Sequence, residues 1–338
     1  MQVASYGVPT CLSDLTTLRL GGPAARMVTA STADELVDKI ASADAAGEAV
    51  LVVGGGSNLV VADAGWPGLV VLVRSDGIER DGDEVTVQAG VVWDDLVART
   101  VAEGWSGLAP MSGIPGLTGA TPVQNVGAYG TEVADTITRL RIYDRSERRV
   151  ADWEPTRFEF GFRTSALKHT DRYVVLAVTF ALPASDLGPP VRYLEVAKRL
   201  GVEPGTRVPS ADVRGVVLDL RRSKGMLLDE SDHDTWSAGS FFVNPFVAPE
   251  AVPDGCPHFV VDGQMKLSAG WLIENAGFGK GYGTGRVRVS SKHSLALTNR
   301  GGATTEELLD LAREIRTGVE ARFGIRLRPE AHLTGVTL

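Results

Sequence analysis

Apolar residues recur at helical spacing in several separated stretches of the chain. Leu36, Val37 and Ile40 follow Thr32 and Glu35, the spacing of a capping box, and Gly47 stops the run. Leu96, Val97 and Val101 predict a helix over about Trp93–Glu103. Further helices are expected over Tyr193–Leu200, Ala211–Arg222 and, briefly, Ala269–Asn275. Thr304 and Glu307 open a long one, in which Leu308, Leu311, Ile315 and Val319 make a core face before Gly324. Between these lie short β-rich runs at Ala49–Val53, Leu59–Ala62, Leu69–Val73, Val85–Gln88, Thr136–Tyr143 and Tyr173–Phe180. The pattern is that of a mixed α and β protein.

Two stretches break the pattern. The run Ala49–Val53 ends on Gly54-Gly55-Gly56-Ser57-Asn58, and Gly104 to Gly130 is crowded with Gly, Pro, Thr, Ser and Asn. A glycine-rich turn after a buried strand lets backbone N–H groups converge on an anion, because no Cβ restricts φ or blocks approach. A tight surface turn is the plain alternative. Ile114-Pro115-Gly116-Leu117-Thr118-Gly119-Ala120, continuing through Thr121, Gln124, Asn125, Gly127 and Ala128 to Gly130, alternates small residues with amides and hydroxyls. That surface suits a flat hydrogen-bonding ring system with a phosphate tail, or else a purely structural loop. A Walker A loop is excluded, since Gly279-Lys280 is followed by Gly281, and no GxGxxG occurs.

Composition narrows the classes. Lys and Arg total 34 against 42 Asp and Glu, a net charge of -8, with no long basic run, so nucleic acid is not an expected partner. The two cysteines, Cys11 and Cys256, have no metal or disulfide-framework spacing. Met1–Thr10 has no signal-peptide pattern and no apolar run reaches membrane-spanning length, so a cytoplasmic location is expected, with a monomer favoured. Ser165–Lys168 forms an SxxK, but the SDN and KTG partners of acylating serine enzymes are missing. Asp232-His233-Asp234 reads as a solvated acidic turn, and no metal is expected.

The two glycine-rich loops are joined by Thr17-Leu18-Arg19-Leu20-Gly21-Gly22, Phe160-Gly161-Phe162-Arg163-Thr164-Ser165, Gly239-Ser240-Phe241-Phe242-Val243-Asn244-Pro245 and Arg328-Pro329-Glu330. In this order the segments resemble the UDP-N-acetylenolpyruvoylglucosamine reductase family, in its longer-loop subclass, over nearly the whole chain. The resemblance implies a vanillyl-alcohol-oxidase (PCMH-type) FAD-binding fold, α+β, in two subdomains. These would be residues 1–74 and 75–222, with 326–338 packing back and 223–325 forming a separate α+β substrate domain. It implies bound FAD on Gly54, Gly55, Gly56, Ser57, Asn58, Gly119, Ala120, Thr121, Gln124, Asn125, Gly127 and Ala128, with NADPH as co-substrate. The substrate would be UDP-N-acetylglucosamine enolpyruvate, reduced by hydride from flavin N5 to UDP-N-acetylmuramate for peptidoglycan.

The same resemblance assigns Arg163, Ser240 and Glu330 to catalysis. Arg163 would fork the substrate carboxylate and offset growing charge. Glu330, kept protonated, would hydrogen-bond the enolate oxygen, and Ser240 would protonate the carbon. Tyr193, Lys224, Asn244 and Lys266 are the candidates for holding the uridine diphosphate. One departure is Phe162, where some family members carry Tyr. The rivals are another FAD oxidoreductase of the same fold, discriminated by reaction with oxygen, and a flavin-free binder of nucleotide sugars, which would be colourless.

Overall fold

The computed structural model describes residues 11–261 and 263–338. The Met1–Thr10 segment, read above for a signal-peptide pattern, lies outside the described residues. Contacts divide the chain into two units, and both are discontinuous in sequence. One comprises residues 1–24, 56–66 and 223–338, and the other residues 25–55 and 67–222.

In the second unit, helix α1 (Ala33–Ala45) starts where Thr32 accepts a hydrogen bond from the Glu35 N–H. The Glu35 carboxylate reaches back one residue further than expected, to the Ser31 N–H, at 2.8 Å. Leu36, Ile40 and Ala43 bury one face against a three-stranded sheet of Ala24–Ala30, Trp66–Val73 and Val50–Val53. The last two strands run parallel, Val53 opposite Leu72, so both point their C-terminal ends the same way. That is where parallel sheets commonly present ligand-binding turns.

The same unit holds a five-stranded antiparallel sheet in the order Arg149–Trp153, Ile137–Asp144, Tyr173–Ala181, Glu84–Gln88, Ile78–Asp81. Helix α2 (Trp93–Ala102) packs on it through Trp93, Leu96 and Val97, all fully buried, with Val85, Val87, Leu140 and Phe180. Helices α3 (Leu194–Leu200) and α4 (Ser210–Ser223) make a smaller core with Val196, Val213, Val217 and Leu220.

The first unit is built around α6 (Thr305–Phe323). Its expected capping box is present in full, and Gly324 ends it at φ +69°. Leu308, Leu309, Ala312, Ile315 and Val319 pack with Phe241, Phe242, Leu272, Ile273 of α5 (Ala269–Asn275) and Leu327. Asp63 accepts from the Thr305 and Glu306 N–H groups, tying the segment after Leu59–Val61 to the start of α6. The C-terminal strand His332–Thr334 pairs in parallel with Leu59–Val61, so the chain's end closes onto this unit.

Candidate active site

The residues expected to act fall into two sets, one in each unit. The turn after Val50–Val53 crosses from one to the other, with Gly54 and Gly55 on one side and Gly56, Ser57 and Asn58 on the other.

In the second unit, a Cβ on Gly55 would stand 2.7 Å from the Gly116 Cα, and one on Gly119 would stand 2.5 Å from the Ala89 Cβ. The glycines are therefore needed first for packing loop backbone against loop backbone. Gly54 has room, its Cβ position lying 3.6 Å from Leu117. The guanidinium of Arg74 donates to the Gly54 carbonyl at 3.1 Å and to its neighbour Val73 at 2.6 Å. Arg74 makes no ion pair among the described residues, and burial pushes its pKa below the ordinary arginine value. A cation held this way suits a bound anion. Sequence reading passed over it, though a charged residue directly after the apolar run Leu69–Val73 marks the C-terminal end of a buried strand. Beside it opens a cavity of about 430 Å³, lined by Arg74, Ser75, Gly90, Val92 and Arg99 among others.

The second glycine-rich loop folds as a 3-10 helix at Thr118–Gln124, closed by Asn125 in the left-handed region. Gly119 N–H donates to Ala89, Ala120 N–H to Leu117, and the Thr121 hydroxyl to Thr118. Gly127–Ala128 pairs with Thr131–Glu132. Arg163 stands on a turn closed by two hydrogen bonds between Gly161 and Thr164, at φ +55°, a conformation costly for a side-chain-bearing residue. Its guanidinium donates to the Gly127 carbonyl at 2.7 Å and lies 5.3 Å from the Phe162 ring centre. Phe162 thus supplies a ring face to the cation without a phenol hydroxyl. Tyr193, at the start of α3, meets Tyr129 edge to face at 5.3 Å and stays 42% exposed. The packing and ligand readings thus apply to the same ring.

Arg221 was also missed, although it falls one turn after Val217 on the apolar stripe of α4, where a cation is out of pattern. Burial holds its pKa below the ordinary arginine value, opposed only in part by the neighbouring Tyr129 and Asp94.

In the first unit, the segments carrying Ser240 and Glu330 run side by side. Phe242 bridges Pro329, the Val243 N–H donates to the Arg328 carbonyl at 3.1 Å, and the Glu330 N–H donates to Phe241 at 2.8 Å. Asn58 joins them: its side-chain nitrogen donates to the Glu330 carbonyl at 3.3 Å, and its own carbonyl accepts from His332. Buried Thr17 links the turn to the serine segment, its N–H donating to Gly56 and its hydroxyl to Ser57 at 3.4 Å and Ser237 at 2.7 Å. Asn244 accepts from the first N–H of α5, and Lys266 stands opposite Phe246 in the sheet of Phe246–Val247, Gln264–Leu267 and His258–Val261, so these two lie in one neighbourhood. Lys224 directly follows α4. The Asp232-His233-Asp234 turn is occupied by protein: Asp232 pairs with Lys292, Asp234 with Arg300 and Ser291, and His233 Nδ1 meets the Arg300 carbonyl. Among the described residues no His, Cys, Asp and Glu group is arranged to hold a metal ion.

Comparison with known proteins places this geometry. Residues 24–150 match the FAD binding domain family, and residues 230–334 match the C-terminal domain of UDP-N-acetylenolpyruvoylglucosamine reductase. The chain is 51% identical to the UDP-N-acetylenolpyruvoylglucosamine reductase of Thermobifida fusca, over 97% of both chains. It is 53% identical to that of Salinispora arenicola, covering 97% of this chain and 95% of the relative. The chain belongs to the UDP-N-acetylenolpyruvoylglucosamine reductase family. The crystal structure of the Thermus caldophilus reductase superposes with a TM-score of 0.69 at 25% identity, covering 96% of this chain and 97% of that one. The α+β fold expected from the motifs, an FAD-binding part followed by a reductase-specific C-terminal part, is thereby established for this reductase family member.

Proposed function

We propose that this protein reduces UDP-N-acetylglucosamine enolpyruvate to UDP-N-acetylmuramate with FAD as its cofactor and NADPH as electron donor. The observation that carries the reading is the pairing of the Ser240 and Glu330 segments across Phe242 and Pro329 in a chain of this family. When bound, FAD supplies the hydride that adds to the enolpyruvyl double bond.

The residues present fit that cofactor. The Gly54-Gly55-Gly56 turn brings three successive backbone N–H groups together, and Arg74 adds a partly desolvated positive charge beside the Gly54 carbonyl, as a diphosphate requires. Gly54 to Asn58 and, from the second loop, Gly119, Ala120, Thr121, Gln124, Gly127 and Ala128 are its proposed seat, within residues 1–222. Residues 223–325 are proposed to take the nucleotide sugar.

Arg163 holds the substrate carboxylate and offsets the negative charge that develops beside it. Glu330 donates a hydrogen bond from its carboxylic acid to the enolate oxygen, and the Ser240 hydroxyl gives its proton to the adjacent carbon. Tyr193, Lys224, Asn244 and Lys266 hold the uridine diphosphate. This reading sets the reaction in the cytoplasm; among the described residues no helix is long and apolar enough to cross a membrane.

Incubation with NADPH and the enolpyruvyl substrate tests this reading. The expected product is heavier than substrate by two hydrogen atoms, formed in step with NADPH consumption; NADPH consumed by oxygen with substrate unchanged would favour an oxidase. The Tyr193 assignment has its own test. Tyr193→Phe should weaken affinity for the nucleotide sugar by about 3- to 10-fold, the loss of one hydrogen bond, with NADPH reducing the flavin at the parental rate. An unchanged affinity would leave Tyr193 as the packing partner of Tyr129.

A further inference from the structure

Asn125 is 1% exposed, and its backbone sits at φ +48° and ψ +64°. The side chain is used at both ends within the second unit. Its nitrogen donates to Glu132 Oε2 at 2.7 Å and to the Gly161 carbonyl at 3.1 Å, while its oxygen accepts from the Ala134 N–H at 3.1 Å. Gly161 is the base of the turn that carries Arg163. The other end of the arginine meets the same residue, because Nη1 donates to the Asn125 carbonyl at 3.4 Å and lies 3.8 Å from Glu132 Oε1. Lys168 completes the set by donating to the Arg163 carbonyl at 2.7 Å.

An amide committed in this way offers little to a flavin ring, which was its expected role. We infer that Asn125 is a positioning residue for Arg163, fixing both the turn beneath the arginine and, with Glu132 as counter-charge, its guanidinium. The left-handed backbone explains the residue type, since Asn tolerates αL better than other side chains that carry both a donor and an acceptor. A carboxylate-binding arginine on a strained turn needs such support, because a displacement of about 1 Å at a reacting group costs on the order of 10²-fold in rate. The inference rests on the proposed role of Arg163.

The test uses the FAD-loaded enzyme and three variants. Asn125→Gly removes the amide while accepting the left-handed backbone. It should keep the parental ratio of FAD to protein, lose about 10-fold in calorimetric affinity for UDP-N-acetylmuramate and slow reduction of the enolpyruvyl substrate by about 10²-fold. Loss of FAD with unchanged product affinity would overturn the inference and return Asn125 to the cofactor. Glu132→Gln, at a site whose side chain is 38% exposed, should show the same split more weakly. If the glycine variant does not fold, parental product affinity in Glu132→Gln overturns the inference. Arg163→Lys separates the two layers: if it leaves product affinity and substrate reduction intact, the proposed role of Arg163 is wrong, whereas an impaired Arg163→Lys beside a parental Asn125→Gly rejects only the positioning role.

Discussion

Replacing Ser240 by alanine should slow reoxidation of the reduced enzyme by the enolpyruvyl substrate by about 10²–10⁴-fold, the usual contribution of a positioned general acid. The expectation follows from position and from the order of events. Ser240 follows Gly239, whose φ of +72° turns the chain, and precedes Phe241, whose N–H is held by Leu295 and whose carbonyl accepts from Glu330. Its backbone is thus fixed from both sides, and the substitution removes a hydroxyl without freeing the segment. Reduction of the flavin by NADPH needs no proton delivered to substrate carbon, so that half-reaction should keep its parental rate. Ser240→Cys should recover part of the lost rate, since a thiol still donates a proton. Rapid-mixing measurements of the two half-reactions, with flavin content measured in parallel, check this. A parental reoxidation rate in Ser240→Ala removes the serine from proton donation.

Gly55→Val should strip most of the flavin from the purified protein. The cause lies in the loops themselves. The added Cβ would come within 2.7 Å of the Gly116 Cα, a backbone atom that cannot step aside as a side chain would. The two loops must then separate, and overpacking of this kind costs about 1–3 kcal/mol in stability. The clash lies between the turn and the loop beginning at Ile114, whose contact sets the spacing of the N–H donors. Gly54→Ala is the matched control, because its Cβ would meet only the Leu117 side chain at 3.6 Å, an ordinary contact. It should keep the parental stability, since no backbone atom has to move. The measurement is the ratio of flavin released on denaturation to protein, taken with circular dichroism to establish folding. Full occupancy in a folded Gly55→Val protein removes this turn from the cofactor seat.

What the sequence made legible was local. The capping box of α6, its apolar face and its Gly324 stop depend on residues three or four apart, and all appear as expected. The strands Val50–Val53 and Tyr173–Ala181 announced themselves by continuous apolar runs. Ala24–Ala30 and Ile78–Asp81 did not, since their mostly exposed or half-exposed residues show no alternation. His332–Thr334 is only three residues long and pairs with a strand more than 270 positions away, so nothing nearby in sequence signals it. The same holds for the site. Ser240 and Glu330 were linked only through family resemblance, because the pairing of Phe242 with Pro329 spans most of the first unit's last segment, residues 223–338. Asn125 shows the converse. Its setting among small polar residues read as a ligand surface, whereas one of its partners, Gly161, lies 36 residues on.

The most direct measurement is the absorption spectrum of the purified protein, recorded without oxygen before and after NADPH and again after UDP-N-acetylglucosamine enolpyruvate. A flavin band should be present, bleach with NADPH and return when the enolpyruvyl substrate is added, with UDP-N-acetylmuramate formed in equal amount. A colourless protein, or a bleached flavin that the enolpyruvyl substrate leaves reduced, would contradict the account.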